Sequence, residues 1–308
     1  GRRHTCALRA SGDVFCWGDN SLGQLGVGNA SGTSFRPRAT ADRWQDYSHL
    51  RCGGDNCCAL RRGGALYCWG SNAEGSAGIN RNNNNNMPVV RPTQVEPGSV
   101  FVPSFSVGFS HSCAIRSDRA LLCWGRNNQG QLGQGTERMA RRRPVPVGDR
   151  RDWLRVAAGR EFTCAIGGES RLFCWGANDD SQLGLGRQTV DGAPLTADLP
   201  TMVEISTDWA EIAAGGGHAC GLKFSHELRC WGRGGSGQLG IGVMSVVEFS
   251  VAVPPARIRW QSLALAAAYS CGRAEPDAVY CWGDNGDAQL GLGNTEAESK
   301  PTLVSISP

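Results

Sequence analysis

The chain has 308 residues, 40% hydrophobic and 19% charged, enough to bury a sizeable core. A formal net charge of +3 demands neither nucleic acid nor anionic lipid as partner, and no run approaches the roughly 18 apolar residues of a membrane span. Glycine supplies 43 residues, well above its usual share of about 7%, which speaks against helices and for turn-rich β structure. Gly1 falls inside a motif, so the expectation is a mature or trimmed chain read without a signal peptide.

From the N-terminus, Thr5-Cys6-Ala7-Leu8 and Val14-Phe15-Cys16-Trp17 read as short strands joined by the polar turn Arg9-Ala10-Ser11-Gly12-Asp13. Pairing Leu8 with Val14 sets Cys6 opposite Cys16, close enough for a cross-strand disulfide. Gly18, Asn20 and Gly23-Gln24-Leu25-Gly26-Val27-Gly28 follow as a loop, where asparagine tolerates left-handed backbone. Trp44 then opens an apolar segment leading to a second copy, with Cys58, Cys68, Trp69 and Gly70. Its loop is eroded to Gly75-Ser76-Ala77-Gly78-Ile79-Asn80. This copy alone adds Cys52 and Cys57, at the end of one expected strand and the start of the next, a candidate local bridge. The polar stretch Arg81-Asn82-Asn83-Asn84-Asn85-Asn86-Met87 reads as a surface loop.

Copy three pairs Cys113 with Cys123 ahead of Trp124-Gly125. Arg138, Arg141, Arg142 and Arg143 then form a basic segment, a candidate contact for an acidic partner, a glycan sulfate or a membrane surface, or else a solvated arm. The extended run Pro144-Val145-Pro146-Val147 comes next. Copy four opens on the alanine-rich run Trp153-Leu154-Arg155-Val156-Ala157-Ala158-Gly159 and carries Cys164 and Cys174. Copy five opens on Trp209-Ala210-Glu211-Ile212-Ala213-Ala214-Gly215 and carries Cys220 and Cys230. After it, residues 243–253 are unusually apolar, with Met244 and Phe249 as candidate partner contacts, or a longer strand pair. Copy six carries Cys271 and Cys281 and ends on Pro301-Thr302-Leu303-Val304.

The tryptophans of the six Cys-Trp-Gly motifs are spaced 52, 55, 51, 56 and 51 residues apart, yet each motif cysteine follows its partner by ten. One inserted residue would flip a cysteine to the other face, so the constant spacing predicts six equivalent cross-strand disulfides. Each is worth roughly 2–3 kcal/mol at most, since the hairpin is already local. Four extended segments per copy of about fifty residues is the anatomy of a propeller blade, so the expected fold is all-β: a β-propeller of six repeats in one domain, residues 1–308. Zinc is the rival use of paired cysteines, but pairs on separate blades are not expected to converge on one ion. Disulfides imply an oxidising compartment: secreted, periplasmic or cell surface.

The residues Gly1-Arg2-Arg3-His4-Thr5, with His111 and His218 at the same repeat position, together with Trp-Gly-x-Asn and Gly-Gln-Leu-Gly, resemble the regulator of chromosome condensation repeat over essentially the whole chain. The resemblance implies a propeller, usually of seven blades. Six copies are present here, so the expectation is a closed six-blade ring or a seven-blade ring with part trimmed away. The first copy lacks its own inner segment, so the C-terminal strand is expected to complete the first blade. Where the histidine stands, other copies carry Phe162, Tyr269 and Asn56, the mark of a packing position. The six tryptophans beside the cysteines read as inter-blade core. A light-sensing member of the family uses Gly-Trp-Arg-His-Thr, and the arginine at position 2 excludes that role. No Ser-His-Asp order, paired acids or phosphate-cradling loop emerges, so no enzyme, cofactor or metal site is expected. The resulting expectation is a secreted or surface-exposed recognition scaffold that binds a protein or glycan through loops on a propeller face, as in related bacterial β-lactamase inhibitor propellers, without nucleic acid as partner. The alternative implied by the resemblance is guanine-nucleotide exchange or other regulation of a small GTPase.

Overall fold

Each repeat folds as its cysteine spacing requires. The computed structural model describes residues 1–42, 44–80, 86–186, 189–190, 193–194, 196–255 and 257–305. Leu8 pairs with Val14, Ala7 with Phe15 and Cys6 with Cys16, and the same register recurs in all six hairpins. The fold class is a β-propeller of six blades, with all-β sheets and only two short 3-10 turns among the described residues. Of the asparagine-rich loop, residues 81–85 lie outside the described residues.

By its internal packing the chain divides into two units, Gly1–Ala158 and Gly159–Pro308. The first holds a three-stranded sheet, His4–Leu8, Val14–Asp19 and Thr33–Ala39. Two four-stranded antiparallel meanders follow. One runs Tyr47–Gly53, Asn56–Arg61, Leu66–Gly70 and Val89–Gln94, the other Phe101–Val107, His111–Arg116, Leu121–Gly125 and Arg141–Pro146. The unit ends on the strand Arg155–Ala158, where the Ala158 N–H donates to Ser106 Oγ at 2.9 Å. The second unit holds the hairpin Phe162–Ile166 and Leu172–Gly176 with its outer strand Ala197–Met202. It also holds the meander Trp209–Ala214, His218–Lys223, Leu228–Gly232 and Val247–Ala252. Its last meander is Trp260–Leu265, Tyr269–Ala274, Ala278–Gly283 and Glu298–Leu303.

Two expectations change. The C-terminal strand Glu298–Leu303 pairs with Ala278–Gly283 and so completes its own blade, while the first blade keeps three strands. The reason is local: a strand a few residues past the loop closes on the nearest open edge at little entropic cost. The basic segment is also no free arm, because Arg141–Pro146 is the outer strand of its blade, with Arg141 paired to Gly125.

The outer strands explain the recurrent prolines. In every blade the ladder shifts register between the motif cysteine and glycine, leaving the tryptophan in a bulge. Pro37, Pro92, Pro144, Pro200 and Pro301 each precede the residue that faces the cysteine, a place where a missing N–H costs the ladder nothing. The innermost strands are crowded, as their small residues imply. A Cβ added to Gly53 would lie 2.0 Å from the Val107 carbonyl oxygen, so only glycine lets the two backbones approach.

Candidate binding surface

The repeated residues are consumed in joining one blade to the next. The indole N–H of Trp69 donates to the Gln24 carbonyl at 3.1 Å, and that of Trp124 to the Ser76 carbonyl at 3.2 Å. In the second unit Trp231 donates to Gln182 and Trp282 to Gln238, at 3.0 and 2.9 Å. The glutamine side chain meanwhile works inside its own loop: Gln238 Oε1 accepts the Ser236 N–H at 2.8 Å. The asparagine does likewise, Asn20 Oδ1 accepting the Leu25 N–H and Asn285 Oδ1 that of Leu290. A loop so braced presents its carbonyl at a fixed place for the next tryptophan, which is why Trp-Gly and Gly-Gln-Leu-Gly occur together. Trp69, Trp124, Trp175, Trp231 and Trp282 are buried as expected, whereas Trp17 of the three-stranded blade is half-buried.

The recurrent histidines are packing residues with one bond. His218 Nε2 lies 2.9 Å from Ser270 Oγ of the following blade, and burial pushes its pKa down to about 3. Burial likewise pushes His111 down to about 4. Both rings are neutral at physiological pH, and the hydroxyl beside His218 is engaged in the blade, Ser270 Oγ donating to the Gln238 carbonyl at 2.9 Å.

All fourteen cysteines are bridged. The six hairpin disulfides are Cys6–Cys16, Cys58–Cys68, Cys113–Cys123, Cys164–Cys174, Cys220–Cys230 and Cys271–Cys281, each with Cα atoms 4.1 Å apart. Cys52 and Cys57 form the seventh across neighbouring strands. The first and second blades also bring His4, Cys6, Cys52 and Cys57 together, a convergence that the spacing of the pairs along the chain did not foretell.

The non-repeating residues lie on the outer strands and the loops before them. Arg138 is exposed, while Arg141 and Arg142 are half-buried and Arg143 exposed. Arg141 forms an ion pair with Glu137, and Arg142 donates to Asn86 Oδ1 at 3.1 Å while its backbone packs against Gly75. In the second unit Met244 is 53% and Phe249 61% exposed, with Val243, Val246 and Val251 also exposed. The Phe249 ring leans over Gly186, where a Cβ would meet it at 2.7 Å. No helix among the described residues is long and apolar enough to cross a membrane.

One polar assembly escaped the sequence reading. Lys223, with a side chain 6% exposed, places Nζ 2.8 Å from Glu204, 2.7 Å from Asp208 and 3.9 Å from the Trp209 ring centre. Its acids stand in the linker before the inner strand, so no short-range pattern joins them to it. The assembly ties that linker to the blade.

A family model described as an RCC1-like domain matches residues 1–307. The chain is 26% identical over 313 residues to the ultraviolet-B receptor UVR8 of Arabidopsis thaliana, an alignment covering 99% of this chain and 68% of the receptor. It is 28% identical over 314 residues to the human E3 ubiquitin-protein ligase HERC2, covering 99% of this chain but only 6% of the ligase. Among solved structures, Prp20p from Saccharomyces cerevisiae matches with a TM-score of 0.85 at 23% identity, over 100% of this chain and 76% of that one, a likeness of fold.

Proposed function

This chain belongs to the RCC1-like domain family, and from that premise we propose that it is a recognition scaffold of an oxidising compartment, secreted, periplasmic or cell-surface, that binds a protein or glycan without catalysing a reaction. One observation carries the reading. The repeated polar and aromatic residues are buried in holding blades together, while exposed apolar side chains cluster at Met244 and Phe249, where nothing in the repeat calls for them. Desolvation of such side chains is the usual centre of an interface, and the exposed Arg138 and Arg143 offer charge and planar donors on the other unit. Seven disulfides in one chain support the compartment.

The test is comparative capture from extracellular medium. Immobilised wild-type protein is expected to retain at least one protein or glycan that Met244→Ser/Phe249→Ser loses, with unchanged melting. Identical retention by both overturns the placement of the site. The second reading, regulation of a small GTPase, draws on the family resemblance, and Prp20p is itself described as binding Gsp1p and histones. Purified protein that accelerates nucleotide release from a small GTPase would replace the first reading with the second.

A further inference from the structure

His4 and Cys6 lie on the first strand of the first blade, while Cys52 and Cys57 face each other across the first two strands of the second. Their four ligating atoms all lie within 4.8 Å of one another. His4 Nε2 is 3.1 Å from Cys57 Sγ, and Cys6 Sγ is 3.5 Å from the same sulfur. Both sulfurs are in disulfides and carry no proton, so the sulfur–sulfur approach is a non-bonded contact and Nε2–H is the donor to Cys57. The other ring nitrogen, Nδ1 of His4, is buried with no hydrogen-bond partner.

Cys57 is the outlier at its repeat position. Thr5, Ser112, Thr163, Ala219 and Ser270 stand there in the other blades. His218 with Ser270 shows the ordinary form of the contact, an N···O pair between one blade and the next. Between the first two blades that latch is rebuilt from sulfur, with Cys52 added at its back and Cys6 at its side.

We propose that His4, Cys6, Cys52 and Cys57 form a redox-gated zinc site: two disulfides when oxidised, three thiolates and an imidazole around one Zn²⁺ when reduced. Structural zinc takes four ligands tetrahedrally, with sulfur at about 2.3 Å and nitrogen at about 2.0–2.1 Å, which sets neighbouring sulfurs roughly 3.8 Å apart. The 3.5 Å sulfur–sulfur separation already approaches that figure, and the 3.1 Å nitrogen–sulfur one approaches the roughly 3.5 Å that the same bond lengths set. Cys52 and Cys6 have only to leave their bonds to Cys57 and Cys16. The electrons come from a dithiol reductant. Two dithiols deliver four electrons and four protons, cleave Cys6–Cys16 and Cys52–Cys57, and become disulfides themselves. Zn²⁺ then displaces one proton each from Cys6, Cys52 and Cys57 to solvent, while Cys16 keeps its own. His4 coordinates through the Nε2 lone pair once its proton has moved to Nδ1, the atom no partner claims.

Access favours these bridges. Cys6 and Cys52 are partly exposed, whereas both halves of Cys58–Cys68, Cys113–Cys123, Cys164–Cys174 and Cys220–Cys230 are buried. Limited reduction therefore opens the two bridges of the site, together with Cys271–Cys281, whose Cys271 is half-buried, while four staples hold.

The experiment is limited reduction of the folded protein with a non-chelating phosphine under nitrogen, followed by Co²⁺ titration. The expected result is one Co²⁺ per chain, with thiolate charge-transfer and intense tetrahedral d–d bands that Zn²⁺ abolishes. Zn²⁺ should also slow alkylation of the partly exposed Cys6 and Cys52 at least tenfold and leave the half-buried Cys271 reactive. Cys57→Ser, which restores the residue type of Ser112 and Ser270, should lose the bands and keep its native circular dichroism. Cys16→Ala, which needs only one bridge opened, should show them at lower reductant. Bands absent from folded, reduced protein overturn the proposal, as do bands that survive in Cys57→Ser or protection spread over other blades. Loss of native circular dichroism on reduction in both wild type and Cys16→Ala overturns it too, since the quartet exists only in the folded chain.

Discussion

Trp231 fills the space between two blades and also supplies the donor for the Gln182 carbonyl, and the two roles separate by substitution. Trp231→Phe keeps most of the apolar contact but leaves a buried carbonyl without its donor, an expected loss of about 1–3 kcal/mol. Trp231→Ala adds a cavity and is expected to cost about 3–5 kcal/mol. Urea unfolding followed by circular dichroism measures both, and a silent Trp231→Phe would show that the indole N–H is dispensable. Gly240→Ala should fail for the complementary reason: a Cβ there would sit 2.8 Å from Trp282 Nε1, on backbone at φ +71. The burial of the tryptophans was legible because each neighbours a cysteine whose face is fixed by its bridge. Their acceptors were not. Gln182 and Gln238 read as turn residues, and a backbone carbonyl leaves no mark in a sequence. Lys223 was equally silent, since its carboxylate partners at 204 and 208 belong to a different segment of the fold.

Strand by strand, the hairpins were the most legible elements, because a side-chain period of two makes ten-residue spacing a statement about register. Replacing Cys220 and Cys230 together by alanine is expected to cost roughly 2–3 kcal/mol or less, measured as a lowered urea midpoint under oxidising conditions. A loss well above that would mean the bridge fixes more than its own short loop. Outer strands were harder to read, since their proline-rich runs lack alternation and pair only after a bulge. The basic segment shows the consequence. Arg142 belongs to a paired strand against Gly75, so Arg142→Ala should lower the melting temperature measurably. The exposed Arg138→Ala and Arg143→Ala should each stay within about 0.5 kcal/mol of wild type. Equal effects from all three, read by thermal melting, would return the segment to the status of a solvated arm.

For the whole molecule, six copies of one motif made the architecture readable, since repetition turns weak local signals into a consistent one. Repetition says nothing of partners. Residues shared by every blade maintain blades, and the exposed Met244 and Phe249 stand out only once their neighbours are seen to be buried. The same burial has a consequence for acid stability. His111 and His218 are fully enclosed, with pKa values driven by desolvation from 6.5 to about 4 and about 3. In the unfolded chain both titrate near 6.5. Between those limits the unfolded state binds more protons than the folded one, so stability falls as pH drops below 6.5. Each histidine contributes about 1.4 kcal/mol per pH unit across its window, which closes near pH 4 for His111 and near pH 3 for His218. Phenylalanine is the fitting replacement, because Phe162 occupies this position above Gly159 as His218 does above Gly215. The variant His111→Phe/His218→Phe, unfolded in urea at pH 7 and at pH 5, is expected to lose markedly less stability on acidification than wild type. A pH dependence unchanged by the double substitution would mean that both rings take up protons in the folded state, and that groups other than these histidines govern acid unfolding.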